Sequence, residues 1–192
     1  MVSETATRLV SEARQLIMRN GYNGFSYADL AESLGIRKAS IHHHFPTKVD
    51  LVVTVVEEAR ALIREQTELL AAAEPAANEQ LRAYTGYWER CITDQSAPFC
   101  LAGVLAAEMP SLPPEVSAAV RGHFGDLSTW LTRVLALGVR QGTMQLRHPA
   151  AAEAEMFMAS VYGAMLAARA FDDPAKFAPI VEASLDRIRP PG

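Results

Sequence analysis

Apolar and polar residues alternate along this chain mainly with the three- and four-residue spacing of α-helices. The first such stretch predicts a helix from about Ser3 to Asn20, with Gly21 where a C-terminal cap belongs. No sustained two-residue alternation typical of strands follows, and prolines mark most of the later helix boundaries. The pattern predicts an all-α protein with about nine helices.

Two short helices joined by a tight glycine turn are predicted between Gly21 and Lys48. Ser26 and Asp29 have the spacing of a capping box at the start of the first, and Gly35 allows a sharp turn after it. The second, from Arg37 to His44, has a polar side and an apolar side: Arg37, Lys38, Ser40, His42 and His43 lie on the polar side, while Ile41 and Phe45 point inward. Such a pair is typical of a helix-turn-helix whose second helix enters a DNA major groove.

A long helix is predicted next, because Thr47 and Asp50 repeat the capping-box spacing after Pro46. It runs to about Ala72, or roughly 39 Å at 1.5 Å per residue. The further helices are expected to open at Pro75, Pro98 (through about Glu108), after Pro114 (to near Gly142), at Pro149 and at Pro174. We therefore divide the chain into a helix-turn-helix domain, residues 1–47, and a helical domain, residues 48–192.

Charge confines any nucleic-acid affinity to the N-terminal part. Residues 1–50 hold six Lys or Arg and five Asp or Glu, whereas the remainder holds twelve and seventeen. A chain with an acidic bulk is no general binder of polyanions. No apolar run is long enough for a membrane span, and Cys91 and Cys100 form neither a disulfide framework nor a metal-binding spacing. These features predict a cytoplasmic protein, and no residue pattern calls for a cofactor or a metal.

The residues of the N-terminal part closely resemble the tetracycline-repressor (TetR) family. The resemblance is carried over residues 1 to about 55 by Gly21-Tyr22, Ser26, Asp29-Leu30-Ala31, Gly35-Ile36, Lys38-Ala39-Ser40-Ile41, His44-Phe45 and Thr47-Lys48. It implies a three-helix DNA-binding domain joined by a long helix to a ligand-binding and dimerisation domain. It also implies a homodimer that binds a pseudo-palindromic double-stranded DNA operator, usually as a repressor. A small molecule or a reactive electrophile would release this dimer from the operator.

The candidate DNA-binding residues are Ser26, Tyr27, Arg37, Lys38, Ala39, Ser40, His42, His43, Thr47 and Lys48. Lys48 lies in the first turn of the long helix, where the helix dipole disfavours a cation by roughly 0.3–1 kcal/mol. A DNA phosphate would compensate, and the resemblance implies that role; a solvated surface lysine is the alternative. The family usually has Ser or Thr at the position of Arg37 and an aromatic residue at that of His42. Arg37 could grip either a guanine or a phosphate.

Three consecutive histidines, His42 to His44, invite a metal-binding interpretation. Consecutive helical residues point about 100° apart, so the three rings cannot converge on one ion. We expect His42 and His43 to reach DNA and His44 to pack against the first helix.

In the C-terminal part the resemblance implies an apolar ligand cavity and a two-fold interface in the form of a four-helix bundle. The candidate ligand-binding residues are Tyr84, Trp88, Phe99, Cys100, Met109, Phe124, Met158 and Tyr162. The candidate interface residues are Ala159, Ser160, Gly163, Ala164, Ala167, Ile180 and Leu185, mostly small residues that let helices approach closely. Plain core packing within one chain is the alternative for both sets.

Cys100 is the candidate for an electrophile sensor, because a thiol near a helix N-terminus can have a lowered pKa. The apolar segment around it favours an inert, buried thiol instead. The rival function is a small-molecule-binding or catalytic helical protein without DNA function. No nucleotide-binding loop, zinc-protease motif or catalytic triad in the sequence supports that rival, so we do not expect an enzyme.

Overall fold

The computed structural model describes residues 3–97 and 99–191, and within these ranges the chain forms nine α-helices and no strands. The helices are α1 (Glu4–Asn20), α2 (Tyr27–Leu34), α3 (Lys38–His44), α4 (Lys48–Ala73), α5 (Ala77–Thr93), α6 (Leu101–Ala107), α7 (Pro114–Arg140), α8 (Ala150–Ala170) and α9 (Phe177–Arg187). Two short 3-10 turns, Met109–Ser111 and Pro174–Lys176, precede α7 and α9. The predicted all-α class and helix number are confirmed.

The predicted helix boundaries differ from the observed ones mainly at the prolines. The helix expected from Pro75 begins at Ala77, and Pro149 is the N-cap residue of α8. Pro174 begins a 3-10 turn, which Asp173 caps by accepting the amide of Ala175 at 3.0 Å, so α9 itself starts three residues later. Proline favours a first turn because its missing N–H is not needed there. The start predicted at Pro98 lies outside the described residues.

The helix-turn-helix boundaries follow from local capping. Ser3 accepts the amide of Ala6 at the start of α1, and Gly21 ends that helix with a φ of 73°. Ser26 and Asp29 form a complete capping box at α2, and Gly35 ends α2 in the left-handed conformation, with a φ of 64°. A positive φ strains any residue with a Cβ, which is why glycine occupies both helix ends.

The chain packs as two compact units, and each is built around its own core. Unit 1 comprises the residues up to Leu62 together with Cys100–Phe124, and unit 2 comprises Ile63–Phe99 and the residues from Gly125 on. Helices α4 and α7 therefore contribute to both units. This division differs from the domain boundary predicted between residues 47 and 48, since packing assigns about half of α4, all of α6 and the start of α7 to the unit of the helix-turn-helix.

Unit 1 has a continuous apolar core. Side chains from α1, α2, α3, α4, α6 and α7 meet in it, among them Leu9, Ile17, Leu30, Ile41, Leu51, Val55, Leu105 and Val120, all fully buried. Each such side chain stabilises the fold by roughly 1.5–3 kcal/mol relative to exposure. Helix α6 is thus an integral part of the same core as the DNA-binding helices.

Unit 2 buries one face each of α5, α8, α9 and its part of α7. Its fully or almost fully buried side chains include Leu81, Leu127, Leu131, Leu135, Phe157, Val161, Met165, Phe177 and Val181. Helices α8 and α9 pack against each other and against α5. Among the described residues, no helix combines the length and the apolar character needed to cross a membrane.

Candidate nucleic-acid interface

Helix α3 presents its polar side to solvent, as the sequence pattern predicts. Lys38, Ala39, His42 and His43 are exposed, whereas Ile41 is fully buried against the unit 1 core. Ser40 is half-buried at the edge of the polar side. The helix therefore has an anchored apolar face and an accessible face with donors that suit phosphates and base edges.

Arg37 is the N-cap residue of α3, and its side chain makes no capping hydrogen bond to the described chain. Its backbone is extended, with a φ of −81°, and its guanidinium group is exposed. The expected loss of a hydroxyl cap is confirmed. The guanidinium is consequently placed at the N-terminal end of α3, where recognition helices contact base edges.

His42 is oriented by two neighbours. Its ring meets the Tyr27 ring edge-on, with centroids 4.9 Å apart, and its Nδ1 lies 3.1 Å from the carbonyl oxygen of Pro46. The contact with a carbonyl is satisfied when Nδ1 carries the proton. The Nε2 atom then remains for a partner outside the domain. The ring of His44, half-buried, meets that of His43.

Tyr27 fixes the C-terminal end of α3. Its hydroxyl lies 3.0 Å from the carbonyl oxygen of Phe45 and 2.6 Å from that of Thr47, to which it donates. Burial, followed by the nearby carboxylate of Asp50 and the phenol of Tyr22, raises the pKa of Tyr27 to about 12. The Tyr27 hydroxyl proton is thus used in a hydrogen bond within the domain.

The two capping hydroxyls of the interface are also committed. Ser26 Oγ donates to Asp29 at 2.7 Å, and Thr47 Oγ1 donates to Asp50 at 2.7 Å. The hydrogen bonds from the Ser26 hydroxyl and amide lower the pKa of Asp29. Both capping boxes predicted from the sequence are confirmed. The DNA contacts of these two hydroxyls stay predictions, in which they can act as acceptors only.

Lys48 has a partner that the sequence did not suggest. Its ammonium donates to the carbonyl oxygens of Tyr22 and Phe25, each at 2.5 Å, and lies 4.5 Å and 4.2 Å from the centroids of their rings. Burial lowers the pKa of Lys48, while the carboxylates of Glu108 and Asp29 raise it. The first-turn cation is thus compensated by carbonyl groups and aromatic faces of its own chain.

Glu108 is a functional candidate that no sequence motif of the DNA-binding part indicates. It follows α6 in the chain, and its carboxylate accepts the amides of Tyr22 and Asn23, at 2.9 Å and 3.3 Å. More than eighty residues separate the partners, so no local pattern could have paired them. Only the neighbouring Gly21 could have suggested a close contact with a distant segment. Its role as the C-terminal cap of α1 already explained why a glycine occurs there.

Three of the predicted ligand-binding residues belong to unit 1. Cys100 is buried, with 3% of its surface exposed, and is the N-cap residue of α6. Its Sγ lies 3.6 Å from Nε2 of His123, which is equally buried. Met109 and Phe124 are half-buried and pack against the unit 1 core.

The other five belong to unit 2, where Trp88, Phe99 and Met158 are buried and Tyr84 and Tyr162 are half-buried. Tyr84 meets Trp130 edge-on, with ring centroids 5.3 Å apart. The indole N–H groups of Trp88 and Trp130 are both buried without a hydrogen-bond partner among the described residues. A buried unsatisfied donor is uncommon in a folded protein, and a ligand acceptor is one of its ordinary explanations.

Two pockets of unit 2 lie away from these predicted ligand-binding residues. The larger, about 110 Å³, is lined by Asn78, Arg82, Thr143, Met144, Leu185, Ile188 and Arg189. The smaller, about 20 Å³, lies between α8 and α9 near Phe157 and Ser160. Neither is lined by a residue of the predicted ligand set. The larger cavity is below the usual size of a ligand pocket, about 300 Å³ or more.

The predicted interface residues divide into two groups. Ala159, Gly163 and Ile180 are exposed, and Ser160 and Ala167 are half-buried. Ala164 and Leu185 are buried within the chain itself, which for these two favours the intramolecular alternative. Large apolar side chains accompany the exposed group: Leu166 is 58% exposed, Phe171 70% and Met156 36%.

In the described part of the chain, no three His, Cys, Asp or Glu side chains cluster so as to hold a metal ion.

Comparison with known proteins identifies the family. The model of the bacterial regulatory proteins of the tetR family matches residues 9–55, and that of the tetracyclin repressor-like C-terminal domain matches residues 77–183. The second match alone covers more than half of the chain. The protein belongs to the TetR family of ligand-responsive, DNA-binding transcriptional regulators.

Individual relatives support this family assignment. A crystal structure of a TetR-family transcriptional regulator from Agrobacterium tumefaciens is 50% identical, with a TM-score of 0.94 over 96% of this chain and 97% of that one. The HTH-type transcriptional regulator CymR of Pseudomonas putida is 25% identical over 71% of this chain and 68% of its own length. The transcriptional regulator AcuR of Cereibacter sphaeroides is 27% identical over 84% of this chain and 74% of its own length. All three are named as regulators rather than enzymes.

Proposed function

We propose that this protein is a cytoplasmic, homodimeric repressor that binds a pseudo-palindromic DNA operator through α3 and is released from it by a small molecule. The observation that carries the proposal is the exposed polar side of α3, from Lys38 to His43, on a helix anchored by the buried Ile41. A recognition helix needs one face packed firmly against the core of its domain and an opposite, accessible face rich in hydrogen-bond donors.

Within this interface we assign base reading to the N-terminal part of α3 and phosphate binding to its edges. Arg37, Ala39 and Ser40 lie at the N-terminal end of α3, where recognition helices contact base edges, and His42 and His43 follow one turn after Lys38. The exposed ammonium of Lys38 is assigned to a phosphate. Ser26, Tyr27 and Thr47 are assigned to positioning, because their hydroxyl protons are committed within the domain.

A dimer is required because one seven-residue helix reaches only one half-site. Half-sites lie roughly 34–36 Å apart, one turn of DNA, so two copies of α3 must be held at that spacing. Exposed residues on α8 and α9, among them Gly163, Leu166 and Ile180, support an interface there. A Cβ at Gly163 would have no other described atom within 4 Å, so the chain itself leaves room for a partner helix.

The effector site is proposed in the aromatic part of unit 2. The unpartnered indole N–H groups of Trp88 and of Trp130, whose ring meets Tyr84, support a ligand with an acceptor group and an apolar body. Binding would act by a population shift, favouring the arrangement whose recognition helices no longer match successive grooves. A coupling of about 1–3 kcal/mol would change operator affinity by roughly 5- to 150-fold.

A DNA selection experiment tests the proposal. A random-sequence duplex pool and the DNA flanking the gene are both offered to the purified protein, and bound sequences are recovered by gel shift. We expect an enriched palindrome whose half-sites are centred one helical turn apart or a multiple of it. Recovery of no preferred sequence would support the rival function, a helical small-molecule binder without DNA function.

The same protein reports on its effector, because Trp88 and Trp130 are the only two tryptophans in the chain. Candidate small molecules are screened by the change in intrinsic tryptophan fluorescence and then added to the operator complex. A true effector changes the fluorescence and releases the DNA over the same concentration range. A compound that changes the fluorescence without releasing the DNA binds the protein but does not regulate its operator binding.

A further inference from the structure

The turn between α1 and α2 (residues 21–25) is held from one side by the carboxylate of Glu108. Oε1 accepts the amide of Tyr22 at 2.9 Å, and Oε2 accepts the amide and the side-chain nitrogen of Asn23, each at 3.3 Å. The same side chain of Asn23 donates to Ser111 Oγ at 3.1 Å. The bond to the Tyr22 amide is the shortest of these and is partly buried, so it is the main attachment of the turn to the carboxylate.

The shape of the turn is adapted to that carboxylate. A Cβ added at Gly21 would lie 1.9 Å from Glu108 Oε1, which is far inside contact distance. A side chain at this position would therefore displace the Glu108 carboxylate, and the φ of 73° at Gly21 separately favours glycine. The close approach of the backbone is what brings both amides within reach of one carboxylate.

The ammonium of Lys48 holds the same turn through its carbonyl groups. It donates to Tyr22 O and Phe25 O and lies over both of their rings. Tyr22 is thus bound at its amide by an anion and at its carbonyl by a cation. A peptide segment held at both polarities cannot shift without losing charge-assisted hydrogen bonds.

The two holding groups come from different parts of unit 1. Glu108 is the C-cap residue of α6, whose Leu101 and Leu105 lie in the core shared with α1. Lys48 begins α4, directly after α3 and its connection. The turn leads into α2 only two residues after Phe25, and Tyr27 then ties the start of α2 to the C-terminal end of α3. The position of α6 is therefore connected to the position of the recognition helix by a short series of hydrogen bonds.

We propose that Glu108 is a positioning residue for DNA binding: with Lys48 it clamps the α1–α2 turn so that α2 and α3 keep the orientation that fits the operator, an inference that rests on the function proposed above. In this role the carboxylate of Glu108 adds a polar connection between α6 and the DNA-binding helices to the apolar core that they share. Displacement of α6 that withdraws Glu108 frees the turn and lowers operator affinity.

The test compares Glu108→Ala and Glu108→Gln with the parent protein and with Glu115→Gln. The alanine variant removes every acceptor, whereas the glutamine variant keeps one oxygen for Tyr22. Glu115 is an exposed carboxylate in the first turn of α7 whose charge also acts on Tyr22, so its change matches the loss of charge without touching the hydrogen bonds. The probe is the duplex that the parent protein enriches from a random pool.

At a temperature where all four proteins are folded, we expect Glu108→Ala to weaken operator binding by about tenfold or more. Glu108→Gln should show a smaller loss and Glu115→Gln none. A merely structural role predicts a different result, in which Glu108→Ala lowers the melting temperature but leaves the operator affinity of the folded protein unchanged; that result overturns the proposal. If the alanine variant does not fold, the ranking of the glutamine variant against Glu115→Gln decides.

A second measurement needs no DNA and separates this inference from the proposed function. Amide hydrogen exchange of the free proteins is followed residue by residue, with α8 as the internal reference. We expect Glu108→Ala to accelerate exchange throughout α2 and α3, whereas a change confined to Tyr22 and Asn23 contradicts the positioning role. Absence of any operator for the parent protein would refute the proposed function, and the exchange result would still decide whether Glu108 positions these helices.

Discussion

The hydroxyl of Tyr27 donates to the carbonyl oxygen of Thr47 across 2.6 Å, which fastens the start of α2 to the residue that precedes α4. The recognition helix lies between these two residues in the chain, and the same hydroxyl lies 3.0 Å from the carbonyl of Phe45 at its end. One side chain thus closes the loop of backbone that contains α3.

Removal of that hydroxyl should loosen α3 without altering its surface. We expect Tyr27→Phe to lower the free energy of unfolding by about 0.5–1.5 kcal/mol, since one hydrogen bond is lost and two carbonyl groups lose their donor. Urea unfolding measures the change. Operator affinity should fall as well, although no phenol–DNA contact is removed.

The stability difference between the parent protein and Tyr27→Phe should depend on pH in the alkaline range. The pKa of Tyr27 is about 12 in the folded protein, against 10.0 for an unperturbed tyrosine. Between these values the unfolded chain releases this proton while the folded protein retains it, so the contribution is complete below pH 10 and declines as pH rises towards 12. The difference in stability between parent and Tyr27→Phe should therefore shrink over this range. A constant difference would show that the hydroxyl is not held as described.

Substitution of Lys48 should separate its structural role from phosphate binding. Because its ammonium is bound to the carbonyl oxygens of Tyr22 and Phe25, we expect Lys48→Met to reduce operator affinity with little change in the salt dependence. Lys38→Ala, which removes an exposed ammonium of α3, should lower the salt slope by about one per subunit. Binding titrations over a range of salt concentrations measure both. A reduced slope for Lys48→Met would restore the phosphate contact predicted from the sequence.

Dimerisation through α8 should be sensitive to Gly163. A leucine at this position meets open space within the chain, so Gly163→Leu should leave the folded subunit stable but push the partner helix away. We expect monomers by sedimentation and weak operator binding. Gly125→Leu is the matched control, because Gly125 is also exposed and open to solvent within the chain but lies on α7. If Gly163→Leu remains a dimer, the interface lies elsewhere.

The two cysteines should react slowly with electrophiles. Cys91 and Cys100 are 8% and 3% exposed, so an electrophile in solution reaches their thiols poorly. We expect N-ethylmaleimide to leave the operator complex intact under conditions that modify a free thiol at once. Release in the parent and in Cys91→Ser but not in Cys100→Ser would instead establish Cys100, with His123 beside its sulfur, as a sensor.

Local sequence signals determined the helices and their caps. Ser26 with Asp29, Thr47 with Asp50, and the glycines at positions 21 and 35 act on backbone groups within a few residues of themselves. Interactions over such short distances do not depend on the rest of the fold, which is why the helix number, the capping boxes and the polar side of α3 could be predicted. The family followed from the same stretch and is confirmed.

Only the tertiary structure decided which polar groups remain available for partners. The sequence marks Lys48 and Tyr27 as candidate DNA contacts, but folding brings carbonyl groups to both, and Glu108 reaches the α1–α2 turn from a distant segment. In the same way, Ala164 and Gly163 are adjacent in the chain, yet one is buried in its own subunit and the other is exposed. Helical periodicity identifies a face, whereas burial and hydrogen bonding across the chain depend on which elements pack together, and that is set by the three-dimensional arrangement of the whole core.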